Sequence, residues 1–176
     1  MAINKPMQHH PVRVALIGFM GSGKSTVGQL LADRFDVPVI DTDTLIVERT
    51  AHLTVGDAFV SLGEAAFRRL ESSVLADVAR SEEAIVSPGG GIVMIPENRQ
   101  LLMGWRIVFL YAPFATILDR LVVAEREARP LLRDSQIATA LYEQRLPLYR
   151  AWATDEVDTT GRAPREVVEE IVRRLT

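Results

Sequence analysis

The sequence predicts an α/β domain, a parallel sheet covered by helices on both faces. Short runs rich in Val, Ile and Leu alternate with segments whose apolar residues recur at helical spacing, as strand–helix–strand units require. Glycine-rich turns close the first and third of these runs, at the sheet edge where open α/β sheets bind ligands.

Val12 to Gly18 (VRVALIG) is β-branched at Val12, Val14 and Ile17 and reads as a buried strand. After the glycines, Lys24 to Phe35 places Val27, Leu30, Leu31 and Phe35 on one helical face. Val37 to Asp41 is a second strand, and Leu45 to Ala51 and Val55 to Leu62 are short helices. Glu64 to Arg80 has the clearest helical period, with Phe67, Leu70, Val74, Leu75 and Val78 in register. Ala84 to Ser87 is a third strand, Pro96 to Met103 a helix, Arg106 to Tyr111 a fourth strand and Pro113 to Val123 a helix. Ala124 to Asp134 is charged, contains proline and has little period, as a mobile excursion would. Ile137 to Ala153 is helical around Pro147, Glu156 to Thr159 a last short strand, and Ala163 to Leu175 a closing helix. Trp105 and Trp152 read as packing residues. No repeat or linker divides the chain, so one domain over 1–176 is expected, with 1–11 a flexible leader and about 124–134 a lid.

Composition narrows the function. A net charge of −3 offers no basic field for nucleic acid. The absence of cysteine excludes disulfides, thiolate metal sites and a cysteine nucleophile. No apolar stretch reaches the roughly 20 residues of a membrane span. The leader lacks the apolar core of a secretory signal, so the cytoplasm is the expected compartment.

The strongest motif is Gly18-Phe19-Met20-Gly21-Ser22-Gly23-Lys24-Ser25-Thr26, which fits G-x-x-x-x-G-K-[ST] between a strand and a helix. Glycines let backbone N–H groups converge on a phosphate, and the helix N-terminus adds its positive end. Lys24 suits the β- and γ-phosphates, and the Ser25 hydroxyl suits Mg²⁺. Gly21, Ser22, Gly23, Lys24, Ser25 and Thr26 are therefore expected to hold the phosphates of a nucleotide.

Further stretches bear on the phosphate acceptor. Asp41 and Asp43 sit where the second strand gives way to a helical pattern, a place for a metal or a substrate hydroxyl as well as for a solvated turn. Arg68 lies at the edge of a buried helical face, and Glu71, three residues on, can orient its guanidinium. Gly89, Gly90 and Gly91 follow a strand and allow close backbone approach by a ligand. Arg129-Pro130-Leu131-Leu132 lies in the charged excursion and suits a lid over transferring phosphate. Pro147 cannot donate to the carbonyl four residues back, and the disturbance falls next to Arg145.

In order along the chain these are a phosphate loop, D-T-D, F-R-x-x-E, G-G-G, R-P-L-L and R-x-P-L-Y. From about Val12 to Leu175 that order resembles shikimate kinase, a small member of the nucleoside-monophosphate-kinase-like P-loop group. The resemblance implies a three-layer P-loop kinase fold with a lid and a five-stranded parallel sheet in the order 2-3-1-4-5. It also implies ATP-dependent phosphorylation of the 3-hydroxyl of shikimate, a step of chorismate and aromatic amino acid biosynthesis. Mg²⁺ is the implied cofactor and a monomer the implied state.

Residue by residue, the resemblance puts Asp41 near the metal with Ser25, and Asp43 on the acceptor hydroxyl as candidate base. Arg68 and Arg145 would hold the acceptor carboxylate, Gly89, Gly90 and Gly91 would present backbone to its ring, and Phe59 and Phe67 would wall it. Arg129 would be the lid arginine that joins Lys24 and Asp43 in catalysis, and Arg120, Arg162 and Pro164 would flank adenine. The chain departs from the family's pattern at Pro88, where a small hydroxyl residue is common, and at Ala151, where a glutamate is common. Two other readings share the phosphate loop. A different kinase on this scaffold, such as a gluconate kinase, leaves the combination of GGG, Arg68 and Arg145 unexplained. A non-catalytic sensor would carry a DNA-binding appendage or lose the D-T-D acids, and neither is seen in the sequence.

Overall fold

Five strands pair in parallel, and their alternating side chains split the core in two. The computed structural model describes residues 11–121 and 135–175. The strands are β1 (Arg13–Ile17), β2 (Val39–Asp41), β3 (Ala84–Ser87), β4 (Arg106–Tyr111) and β5 (Asp155–Asp158), in the order β2-β3-β1-β4-β5 that the resemblance implies. All four pairings are parallel, with Ala15 opposite both Val86 and Ile107. From β1, Ala15 and Ile17 point into one core layer and Val14 and Leu16 into the other. A sheet buried on both faces needs this continuous apolar run.

The second layer is covered by α1 (Lys24–Phe35) and the C-terminal helix, α8 (Pro164–Leu175), through Val27, Leu31, Val167 and Ile171. The first layer is covered by α2 (Thr42–Thr50), α3 (Val55–Leu62), α4 (Glu64–Val78) and α7 (Ser135–Trp152), through Ile46, Ala58, Leu75 and Trp152. Trp105 and Trp152 are both buried there, as packing residues should be. Between β3 and β4 lie a 3₁₀ turn (Ile92–Met94) and α5 (Asn98–Leu101), and α6 (Phe114–Arg120) follows β4. Among the described residues, no helix is long and apolar enough to cross a membrane.

Several boundaries differ from the sequence reading. α2 starts at Thr42 rather than Leu45, because the Asp41 side chain caps it by accepting from the Asp43 N–H at 2.9 Å. β2 covers only Val39–Asp41, starting two residues late because the Val37 N–H is still donated to the Ala32 carbonyl at the end of α1, at 3.1 Å. The expected helix over 96–103 shrinks to the four residues of α5. Asn98, Arg99, Leu102 and Met103 each donate to the carbonyl three residues back, so tight turns replace the rest of that helix. α7, by contrast, runs through Pro147 without a break. The expected leader, and the expected lid with Arg129, lie outside the described residues.

Candidate active site

The carboxyl ends of β1, β2 and β3 bring their following loops to one edge of the sheet, and two cavities open there. The first, about 490 Å³, runs over the phosphate loop. Gly21, Ser22, Gly23, Lys24, Ser25 and Thr26 line it, with Asp41 and Asp43 on one side and Arg120, Arg162 and Pro164 on another. The loop needs its glycines: Gly21 and Gly23 take φ values of 79° and 99°, and Gly23 caps α1 from the left-handed region. Lys24 Nζ donates to the carbonyls of Gly18 (2.9 Å) and Phe19 (3.2 Å), so the lysine folds over its own loop. At the far end Arg120 is held by the hydroxyl (2.9 Å) and carbonyl (2.5 Å) of Thr159. Arg162 pairs with Glu170 and donates to the Asp158 carbonyl at 3.0 Å.

The second cavity, about 420 Å³, lies under α3 and α4. Phe59, Phe67, Arg68, Glu71, Arg145 and the three glycines line it. The Phe59 and Phe67 rings meet edge to face at 5.2 Å, and the Arg68 guanidinium lies 5.8 Å and 5.7 Å from their centroids. Arg68 ion-pairs with Glu71, the partner its sequence spacing predicts. Glu71 is only 4% exposed, so burial pushes its carboxyl up, and Arg68 pulls the other way. Arg145 is also 4% exposed, and burial lowers its pKa, with Arg68 as a nearby like charge adding to the effect. The Nε atoms of Arg68 and Arg145 are buried with no protein hydrogen-bond partner. A buried and a partly buried guanidinium on one apolar-walled cavity make a receptor for a planar anion.

The two cavities share Met20, Asp43, Gly89 and Gly90. Asp43 therefore stands where the cleft over the phosphate loop meets the pocket lined by Arg68 and Arg145. Sequence reasoning singles out Asp43 but not what holds the glycine turn beside it. Thr42 is buried, and its hydroxyl accepts from the Gly89 N–H at 3.1 Å, tying the start of α2 to the glycine turn. Tyr149 does the same from the other side, donating to the Gly90 carbonyl at 2.6 Å. Both residues stand inside motifs the sequence displays, D-T-D and R-x-P-L-Y, but their partners are 47 and 59 positions away.

The three glycines have a further reason. Each leaves room for a different side chain of the site. A Cβ at Gly89 would lie 2.6 Å from Asp43 Oδ1 and 3.0 Å from Glu71 Oε1. At Gly90 it would lie 3.2 Å from the Tyr149 hydroxyl, and at Gly91 2.8 Å from Arg68 Cζ. Gly89→Ala is therefore expected to displace Asp43, lowering kcat at least about tenfold, with about 1–3 kcal/mol of overpacking cost. Steady-state kinetics together with denaturant unfolding check this, and wild-type kcat in the variant would contradict it.

Residues 20–176 match the family model described as shikimate kinase. A shikimate kinase of Thermobifida fusca is 43% identical over 171 residues, covering 96% of this chain and 97% of the relative. One of Enterococcus faecalis is 39% identical over 165 residues, covering 92% and 97%. The solved structure of shikimate kinase from Acinetobacter baumannii in complex with shikimate superposes with a TM-score of 0.86 at 30% identity, covering 94% of each chain.

Proposed function

The chain belongs to the shikimate kinase family, and from that premise we propose that it transfers the γ-phosphoryl group of ATP to the 3-hydroxyl of shikimate. The products are shikimate 3-phosphate and ADP, within aromatic amino acid biosynthesis. The observation that carries this reading is the meeting of the two cavities at Asp43, Gly89 and Gly90. One cavity has the backbone and lysine of a phosphate site. The other has Arg68 and Arg145 for a carboxylate and the Phe59 and Phe67 rings for a carbocycle.

In this reading Arg68 and Arg145 take the acceptor carboxylate, and the glycine turn lies along the ring. That leaves a ring hydroxyl at Asp43, facing the phosphate cleft. The hydroxyl oxygen forms a bond to the γ-phosphorus as the bond to the β–γ bridging oxygen breaks. The hydroxyl proton passes to Asp43, and the electron pair of the broken bond leaves on ADP. Lys24 balances charge on the transferring phosphates, and the loop N–H groups hold them in line. Phosphoryl transfer of this loose kind gains most from positioning, so the placement of Asp43 contributes alongside its basicity.

Ser25 and Asp41 supply hard oxygen donors to the same cleft wall, and among the described residues no group of three or more His, Cys, Asp or Glu forms a metal cage. That donor set fits Mg²⁺, which keeps waters and phosphate oxygens in its shell and needs few protein ligands. When bound, Mg²⁺ neutralises phosphate charge; Ser25 and Asp41 are the residues that would hold it. Arg120, Arg162 and Pro164 line the far end of the cleft, where adenine would lie in this reading. One chain lines both cavities, and the working species is a monomer in the cytoplasm.

An ADP-release assay with ATP, Mg²⁺ and a panel of acceptors tests the reading. Shikimate is expected to support turnover at least about a hundredfold above gluconate, because only a carboxylated ring fills both halves of the pocket. Comparable turnover with gluconate would overturn the assignment.

A further inference from the structure

Arg145 is a buried cation with another cation, Arg68, nearby. A guanidinium in that position needs a neutral partner to fix it. Tyr149, four residues further along α7, is on the same helical face. Its hydroxyl lies close enough to the Arg145 guanidinium to interact with it, both groups facing the same side of Gly90. The phenol's one proton goes to the Gly90 carbonyl at 2.6 Å, so toward Arg145 the hydroxyl can only accept. Burial pushes the phenol up to about 12, which keeps that proton in place near neutrality.

The ring itself cannot drift. Tyr149 is 1% exposed and stacks on Phe109 of β4 at 5.2 Å and 23°. Gly90 is the complement: a Cβ there would lie 3.2 Å from the phenol oxygen and 3.6 Å from Arg145 Nη1. Phenol and guanidinium thus converge on a turn that lines both cavities.

We propose that Tyr149 is a positioning residue, whose hydroxyl sets the Arg145 guanidinium against the Gly90 turn for the acceptor carboxylate. The proposal rests on the function reading above, and wild-type turnover with shikimate is the control that separates the two. No wild-type turnover would fail that reading, whereas the test of Tyr149 compares variants in which the wild type is active.

Tyr149→Phe keeps the stack on Phe109 and removes only the hydroxyl. The expected result is a roughly tenfold rise in the KM for shikimate, with kcat within about twofold and the KM for ATP unchanged. A cycle with Arg145→Lys separates positioning from general destabilisation. In the Arg145→Lys background, Tyr149→Phe is expected to change the shikimate KM by less than about twofold, because its effect passes through the guanidinium. Thermal unfolding of all four proteins is read alongside. A lowered melting temperature with an unchanged shikimate KM in Tyr149→Phe would overturn the proposal, and so would fully additive KM effects.

Discussion

Asp43→Asn is expected to lower kcat by about two to four orders of magnitude while the fold survives. Asparagine keeps the shape of the side chain but cannot take the acceptor's proton, and it presents an amide where a carboxylate should face the hydroxyl. The fold should survive because the cap of α2 belongs to Asp41, which accepts from the backbone N–H of residue 43 and not from its side chain. The size of the loss separates two contributions. A fall near a hundredfold points to orientation of the hydroxyl, and a fall near ten-thousandfold points to proton abstraction. The check is kcat from the ADP-release assay beside a thermal melt, and near-normal turnover would remove Asp43 from the mechanism.

Arg68→Ala is expected to raise the KM for shikimate while leaving the KM for ATP close to wild type. Losing one partner of a buried charge pair costs about 2–5 kcal/mol, or roughly thirtyfold to several-thousandfold. Arg68 touches only the second cavity, which is why ATP should be spared. The same variant should show a pH-dependent loss of stability. Glu71 is pushed up by burial, and Arg68 is the first group opposing that shift. Without Arg68 its folded-state pKa rises further above the ordinary 4.5. A carboxyl raised on folding contributes stability below its unfolded pKa and loses it as pH rises through the folded value. Arg68→Ala should therefore lie nearest to wild-type stability at acid pH and lose ground toward neutrality, as urea titrations at several pH values would show. An unchanged shikimate KM would remove Arg68 from the acceptor site.

Much of this was legible in the sequence because it depends on local pattern. The apolar runs of β1, β3 and β4 and the period of α1 place those elements within a residue or so. The phosphate loop is a local motif, and the pairing of Arg68 with Glu71 follows from a three-residue helical spacing. The ordering of six motifs then carries the family. What stayed illegible is long-range. The glycine run reads as room for a ligand, but its tightest neighbours are Asp43, Tyr149 and Arg68, drawn from three different helices. Thr42 looks like a spacer between two acids until the fold brings Gly89 beside it. The early start of α2 hinges on one side-chain cap, which propensity cannot locate to the residue.

The central claim is that one chain joins an ATP site to a carboxylated-ring site across Asp43. Following the wild-type protein with ATP, Mg²⁺ and shikimate by phosphorus NMR tests it most directly. The account predicts that the γ-phosphate signal of ATP gives way to a phosphomonoester coupled to the C3 proton of shikimate, in step with ADP. Release of inorganic phosphate alone, or an ester on a different hydroxyl, would contradict it.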